Sequence, residues 1–185
     1  MRLPSPLLPG RLIKRYKRFL ADIRLDDGRE ATAHCANPGS MLGVAIEGSR
    51  VWVHEHGDRK RKLAFSWELV EIGGTLIPVN TTNPNRIAAE AIEKGVIPEL
   101  TGYGEIAREV KYGEASRIDL LLSGGFAHAP RGHQRIAPAA DLDPAYAKAL
   151  QTAAAAGVEL LCYDCEVTST EVVLRKPLEI DLEPK

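Results

Sequence analysis

The sequence predicts an α+β protein with a β-rich first part. Two observations carry this. Residues 10–79 break into short β-forming runs separated by turn signals, whereas two later segments open with Asn-Pro or Asp-Pro and end at Gly, as helices do. At 185 residues, 44% hydrophobic and 26% charged, the chain is of ordinary globular composition and long enough for a sizeable core. There is no stretch of 18 apolar residues, and the prolines of MRLPSPLLPGR interrupt the apolar run a secretory leader would need. Three cysteines cannot make a closed disulfide framework. A cytoplasmic protein without membrane contact is the expectation.

Taken in order, Arg11 to Leu25 reads as one long strand, Asp27-Gly28 as a hairpin turn and Arg29 to Cys35 as the return. Asn37-Pro38-Gly39 marks a loop. Arg50 to His54 alternates Val51 and Val53 with Trp52, and Lys62 to Ile72 pairs with Thr75 to Val79 across Gly73-Gly74. Five strands in this length suggest a small closed barrel of oligonucleotide-binding (OB) type, although half of a sandwich fits the same pattern. A helix follows, with Asn83 as N-cap, Pro84 first, an Ile87, Ala88, Ala91, Ile92 stripe and Gly95 as its stop. Val110 to Tyr112 and Ile118 to Leu122 read as strands around Gly113, Ser123 to Ala140 as a loop, and Asp143-Pro144 to Gly157 as a second helix. Val158 to Tyr163 reads as a buried strand, and Glu166 to Thr168, Val172 to Leu174 and Leu178 to Leu182 as short closing strands.

Charge is unevenly spread. Residues 1–80 carry 13 Lys+Arg against 9 Asp+Glu, whereas residues 105–185 carry 9 against 13. Arg2, Arg11, Lys14, Arg15, Lys17 and Arg18 occur with no acid in the first 20 residues, and Arg59, Lys60, Arg61 and Lys62 form a second cluster. This is the footprint of a phosphate-backbone binder, and equally that of a solvated charged face. Strand alternation puts Arg11, Ile13, Arg15, Lys17 and Phe19 on one face and Leu12, Lys14, Tyr16, Arg18 and Leu20 on the other. Neither face is apolar, so a bulge or twist is expected. Tyr16, Phe19 and Trp52 are available for base stacking or for the core.

Several runs together resemble one family: RLIKRYKRFLADI (Arg11 to Ile23), HCANPGSM (His34 to Met41), WELVEIGG (Trp67 to Gly74), NPNRIAAEAI (Asn83 to Ile92), EVKYGEASRIDLLL (Glu109 to Leu122) and RIAPAADLDPAYAKAL (Arg135 to Leu150). The sequence resembles the sugar fermentation stimulation protein A (SfsA) family. The resemblance implies an OB-like barrel at residues 1–80 and a PD-(D/E)xK nuclease-like αβ domain at 81–185. It also implies a DNA-binding protein linked to regulation of sugar (maltose) metabolism. One departure stands out. Family members carry a strand with Glu-x-Lys after the RIDLLL strand, then a helix and another strand. Here Leu122 runs through SGGFAHAPRGHQR straight into IAPAADLDP, so the nuclease-like domain is reduced by a few dozen residues.

Nuclease chemistry of that type needs carboxylates holding Mg²⁺ and a lysine near the attacking water. The resemblance places Asp119 as the strand acid and metal ligand, and Glu90 as a second carboxylate; both are vestigial candidates without the Glu-x-Lys strand. Asp119 otherwise reads as an ion-pair partner of Arg117 or Lys111, and Glu90 as a solvated helix residue. Glu109-Val110-Lys111 has the right letters but precedes Asp119, and Glu166-Val167-Thr168 lacks the ammonium. Mg²⁺ is the one cofactor implied. Cys162 and Cys165 have CxxC spacing but no second pair, and read as core thiols. Ser40 has no GxSxG context, and Gly39 and Gly43 make no dinucleotide fingerprint. The NPGSM segment reads as a tight turn closing the barrel, with Asn37 and Ser40 as ligand-facing candidates. The expected function is nucleic-acid binding through Arg11, Lys14, Arg15, Tyr16, Lys17 and Arg18, with DNA as partner and RNA and a homodimer left open. A Mg²⁺-dependent nuclease is the alternative, and an inactive module whose basic patch binds an acidic protein is a third reading.

Overall fold

A computed structural model describes residues 1–58, 61–112, 116–123, 134–136, 144–180 and 182. Contacts divide the chain into two units: Met1–Glu90 with Val167–Val173, and Ala91–Glu166 with Leu174–Lys185.

The first unit is a barrel. Strands β1 (Leu7–Tyr16), β2 (Leu20–Leu25), β3 (Glu30–His34), β4 (Arg50–Glu55), β5 (Phe65–Ile72) and β6 (Thr75–Pro78) lie in the order β3-β2-β1-β4-β5-β6. A parallel pairing of Ala33 with Phe65 and His34 with Ser66 joins β3 to β5. That pairing closes five strands on themselves, the OB arrangement, and leaves β6 as an extra strand on β5. Closure removes the unpaired edges that an open sheet of this size would present.

The segment read as one strand, Arg11 to Leu25, is two strands. The chain reverses at Lys17 and Arg18, with φ of 48° and 62°, and Tyr16 then pairs with Leu20. Left-handed conformation at Lys and Arg is unfavourable, and no Gly, Asn or Asp flags this turn, so local propensity hides it. The expected bulge is present: the β1–β2 register shifts between Leu12 and Lys14. It rephases the alternation so that Leu12 faces inward, Lys14 outward and Arg15 toward the barrel mouth opposite fully buried Ala21. At Gly10 an added Cβ would come within 2.6 Å of the Arg24 carbonyl oxygen, so only glycine lets β1 pass β2 there.

The core holds Leu12, Ala21, Ile23, Leu25, Ala33, Cys35, Val51, Val53, Trp67, Val70 and Val79. Each larger aliphatic side chain contributes about 1.5–3 kcal/mol by leaving water. Trp67 is completely buried and its indole N–H donates to the Leu69 carbonyl oxygen at 2.8 Å, so its one polar atom is satisfied.

Helix α1 (Pro84–Glu93) starts as expected, with the Asn83 carbonyl oxygen accepting from Arg86 N and Ile87 N, and stops before Gly95 at φ 65°. The inward residues are Ile87, Ala89 and Ala91. Residues 1–3 run beside 170–172, Leu3 N donating to Thr170 O and Val172 N to Met1 O.

In the second unit, β7 (Glu105–Tyr112) and β8 (Ser116–Ser123) form a two-stranded antiparallel sheet. A separate sheet has the order β10-β11-β9, from β9 (Gln134–Ile136), β10 (Cys162–Val167) and β11 (Val172–Ile180). Helix α2 (Pro144–Ala155) begins at the expected proline, and Gly157 follows it at φ 83°; its expected cap, Asp143, lies outside the described residues. Three expectations are corrected in this unit. A short strand, β9, lies within the segment read as a loop. The two closing strands Val172 to Leu174 and Leu178 to Leu182 are one strand, β11. The buried strand is not Val158 to Tyr163: Val158 is 54% exposed, Leu161 is 38% exposed, and pairing starts only at Cys162. An apolar run after a helix stop is ambiguous by pattern alone.

Candidate nucleic-acid interface

The basic segment and the HCANPGSM loop meet at the barrel mouth, and Arg15 joins them. Its Nη2 donates to the carbonyl oxygens of Asn37 (2.8 Å) and Gly39 (2.9 Å), Nη1 to Ser40 O (3.3 Å) and Nε to Arg18 O (3.0 Å). All three guanidinium nitrogens are therefore spent on backbone. Arg15 thereby shapes the loop. Asn37 is likewise structural: its Nδ2 donates to Val79 O at 3.1 Å, and its Oδ1 accepts from Gly39 N at 2.9 Å. Ser40 is exposed. Beneath the loop, the Cys35 thiol is buried against Met41 Sδ at 3.6 Å, and burial pushes its pKa up.

The other candidates differ in how freely they stand. Arg11 donates to Gly48 O at 2.9 Å. Lys14 Nζ lies 3.7 Å from Asp22 Oδ2, and the Tyr16 hydroxyl donates to Asp22 Oδ1 at 3.1 Å, so Tyr16 is anchored on the outer face of β1. Lys17 and Arg18 form the exposed tip of the β1–β2 turn. Next to them Phe19 is 45% exposed and stacks on His34, ring centroids 6.3 Å apart and 27° between planes. Trp52 is half-buried under the Arg50 guanidinium, 5.9 Å from its ring centroid.

The second basic cluster lies in the β4–β5 connection. Arg59 and Lys60 are outside the described residues; Arg61 and Lys62 are exposed. Arg61 Nη1 donates to His56 Nε2 at 3.0 Å, and the Ser66 hydroxyl lies 2.7 Å from the same nitrogen. Burial first, then the Arg61 charge, lowers the His56 pKa, so the ring is neutral near pH 7. His54, in β4, meets His56, just beyond the end of that strand, edge to face at 4.8 Å.

Sequence reasoning missed His34 as the partner of Phe19. Reading residues 11–25 as one strand concealed the Leu20–His34 pairing that brings the two rings together. The turn at Lys17 and Arg18 carried no glycine signal that could have revealed it.

The nuclease-type candidates Glu90 and Asp119 belong to different units. Glu90 Oε2 lies 3.1 Å from the Met1 ammonium, so this carboxylate is not a solvated helix residue but half of an ion pair. Asp119 is exposed on β8. The constant register on both sides (Arg108 with Leu120, Val110 with Ile118) puts Glu109 across from it, at a left-handed φ of 53°. Lys111 faces Arg117, one diagonal step from Asp119. Among the described residues no three His, Cys, Asp or Glu side chains gather as a cation site. Glu166, the other motif-like acid, is taken by the Arg175 guanidinium, whose Nε donates at 2.7 Å. Cys162 is half-buried and Cys165 exposed on β10, so the CxxC pair is not a core pair: a spacing of three on a strand sends the side chains to opposite faces. Among the described residues no helix is long and apolar enough to cross a membrane.

Comparison with known proteins agrees with this architecture. The family model described as the SfsA N-terminal OB domain matches residues 13–79, and the sugar fermentation stimulation protein RE domain matches 82–130 and 125–171. A sugar fermentation stimulation protein homolog from Maricaulis maris is 42% identical, covering 98% of this chain and 99% of that protein. One from Paramagnetospirillum magneticum is 41% identical, covering 98% of each. The Maricaulis alignment extends over 233 positions against the 185 residues here, so a block of that relative has no counterpart in this chain. The two-piece match of the RE domain puts the break near residues 125–130, where the sequence departs from the family. The solved structure of Pyrococcus furiosus SfsA in complex with Ca²⁺ superposes with a TM-score of 0.78 at 22% identity, covering 98% of both chains. The fold is shared with that protein, and by family models and relatives alike this chain belongs to the sugar fermentation stimulation protein family.

Proposed function

We propose that this protein binds DNA through phosphate contacts at the barrel, with weak sequence preference, as a regulator of sugar metabolism genes of the SfsA type. One observation carries the reading. Lys17 and Arg18 of the first basic cluster lie in the β1–β2 connection and the second cluster lies in the β4–β5 connection, the two loops by which OB barrels take hold of oligonucleotides. Lys17, Arg18, Arg61 and Lys62 are the exposed cations there, with Lys14 and Arg11 behind them. Arg15 and Asn37 act by fixing the adjacent loop. The cations are more numerous than the exposed aromatics, so backbone attraction supplies most of the affinity.

The test is a titration of labelled DNA over a range of salt. About four neutralised phosphates give a log K against log salt slope near −4. Affinity indifferent to salt would dismiss the reading.

The nuclease reading stands second. It is favoured by the facing Glu109 and Asp119 positions and by the Ca²⁺ complex of the Pyrococcus relative. It lacks a third ligand among the described residues and the lysine strand of the family.

A further inference from the structure

The outer face of the barrel carries a row of rings between the two basic loops. Leu20 pairs with His34, His34 with Ser66, and Ser66 with His54, so β2, β3, β5 and β4 cross one line. Phe19 stands at the start of that line, 45% exposed and stacked on exposed His34. His56 and His54 stand at its far end, in edge contact and tied to Ser66 through His56. Three inter-strand spacings make the line about 14 Å long. Cations close both ends: Lys17 and Arg18 beside Phe19, Arg61 and Lys62 beside His56. The nearby acid Glu55 is neutralised by Arg29, 3.2 Å away; Asp58 is the remaining carboxylate in the β4–β5 connection.

A large aromatic held half in water, its one ring contact made with another exposed ring, contributes little to folding. It offers a flat apolar face at the place where phosphates would be drawn in. The faces of bases within a duplex are covered by their neighbours, whereas unpaired bases present theirs. We propose that this row binds unpaired nucleobases, so that the protein prefers single-stranded to double-stranded DNA. A base stacks on the Phe19–His34 pair, the strand crosses toward His56 and His54, and its phosphates lie on the two basic loops. The inference rests on the DNA-binding reading above and adds the class of DNA.

The experiment is fluorescence anisotropy with three labelled probes of equal length: oligothymidylate, the same backbone with abasic sites throughout, and a duplex. Each is titrated against the wild-type chain, Phe19→Ala/His34→Ala and Phe19→Tyr. The wild type should bind oligothymidylate about tenfold more tightly than the abasic strand, and more tightly than the duplex. The double variant should lose that preference for bases, and Phe19→Tyr should keep it. Both sites are exposed, and an unchanged thermal midpoint verifies folding. Equal binding of base-bearing and abasic strands by the wild type, or a preference surviving in the double variant, would overturn the stacking row while leaving salt-dependent phosphate binding in place. Absence of salt-dependent binding to any of the probes would overturn both readings.

Discussion

Arg15 Nη2 donates to the Asn37 carbonyl oxygen at 2.8 Å, so a strand residue near the start of the chain sets the loop 22 residues later. The β1 bulge makes this possible, since without the extra residue Lys14 would face the barrel mouth instead. A guanidinium fork reaches several carbonyls at once, and a lysine ammonium does not. Arg15→Lys should cost about 2 kcal/mol in urea unfolding, the scale of a charge-assisted hydrogen bond. It should also speed labelling of Cys35, which that loop covers through Met41. Unchanged stability with unchanged Cys35 reactivity would show the loop to be held by other contacts.

Lys17 and Arg18 sit in left-handed conformation, where a side chain costs about 1 kcal/mol that glycine avoids. Arg18 also serves Arg15 through its backbone carbonyl, which glycine retains. Arg18→Gly should leave the fold as stable or raise stability by up to about 1 kcal/mol, while weakening DNA binding and flattening the salt slope by about 1. Thermal unfolding and anisotropy on the same preparation measure both. A variant equally tight for DNA would remove Arg18 from the interface.

The barrel was largely legible because its punctuation is chemical. Gly73-Gly74 both take positive φ and turn β5 into β6, and Asn83-Pro84 opens α1 where expected. What escaped lies where tertiary contacts override local preference. Two cations occupy a turn that propensity assigns to glycine or asparagine, and an arginine with the look of a phosphate contact is consumed by carbonyls from a distant loop. The Phe19–His34 stack depends on a strand pairing that follows only once that turn is known. In the second unit the apolar run after α2 signalled burial, but Val158 stays in water and the strand starts later.

Glu68 is 3% exposed, its carboxylate accepting from Asn80 Nδ2 at 3.1 and 3.3 Å. Burial raises its pKa above the usual 4.5 despite the opposing hydrogen bonds of Asn80. A raised acid takes up protons on folding, so its favourable contribution is complete below the unfolded value and is lost as pH rises through the folded one. Glu68→Gln, neutral throughout, should match the wild type at about pH 4 and exceed it at about pH 8. Urea midpoints at the two pH values decide; a difference that stays constant with pH would contradict a raised Glu68 pKa.

The two units should differ in protection from hydrogen exchange. Leu12, Ile23, Val51, Val53, Trp67 and Val70 are buried in the closed barrel, whereas Ala91, Ile97 and Ala147 are the buried apolar residues described in the second unit. There β7 and β8 pair only with each other among the described strands. Two-stranded sheets with thin apolar cover open readily, or recruit an edge from a second copy. Amides of β7 and β8 should exchange well before those of β2 and β5 in a dilute monomer. Equally slow exchange across both units would contradict this.

Incubated with supercoiled plasmid and Mg²⁺ or Mn²⁺, the purified chain should leave the DNA intact. Hydrolysis of a phosphodiester by a PD-(D/E)xK type of site uses a metal held by several carboxylates, to stabilise charge on the phosphoryl oxygens and to lower the pKa of the attacking water. Asp119 offers one exposed oxygen ligand, and Glu109 faces it only from a distorted backbone position. Glu90 is engaged by the Met1 ammonium. Lys111 lies on the correct strand pair to approach Asp119, but a diagonal neighbour opposite Arg117 is not held against a nucleophile. A divalent ion attracted to Glu109 and Asp119 would be mostly hydrated, and its water would stay close to its bulk acidity. Plasmid nicking that vanishes in Asp119→Ala would promote the nuclease reading over the binding one. Nicking that persists in that variant would be assigned to a contaminating enzyme, and the expectation of no cleavage by this chain would stand.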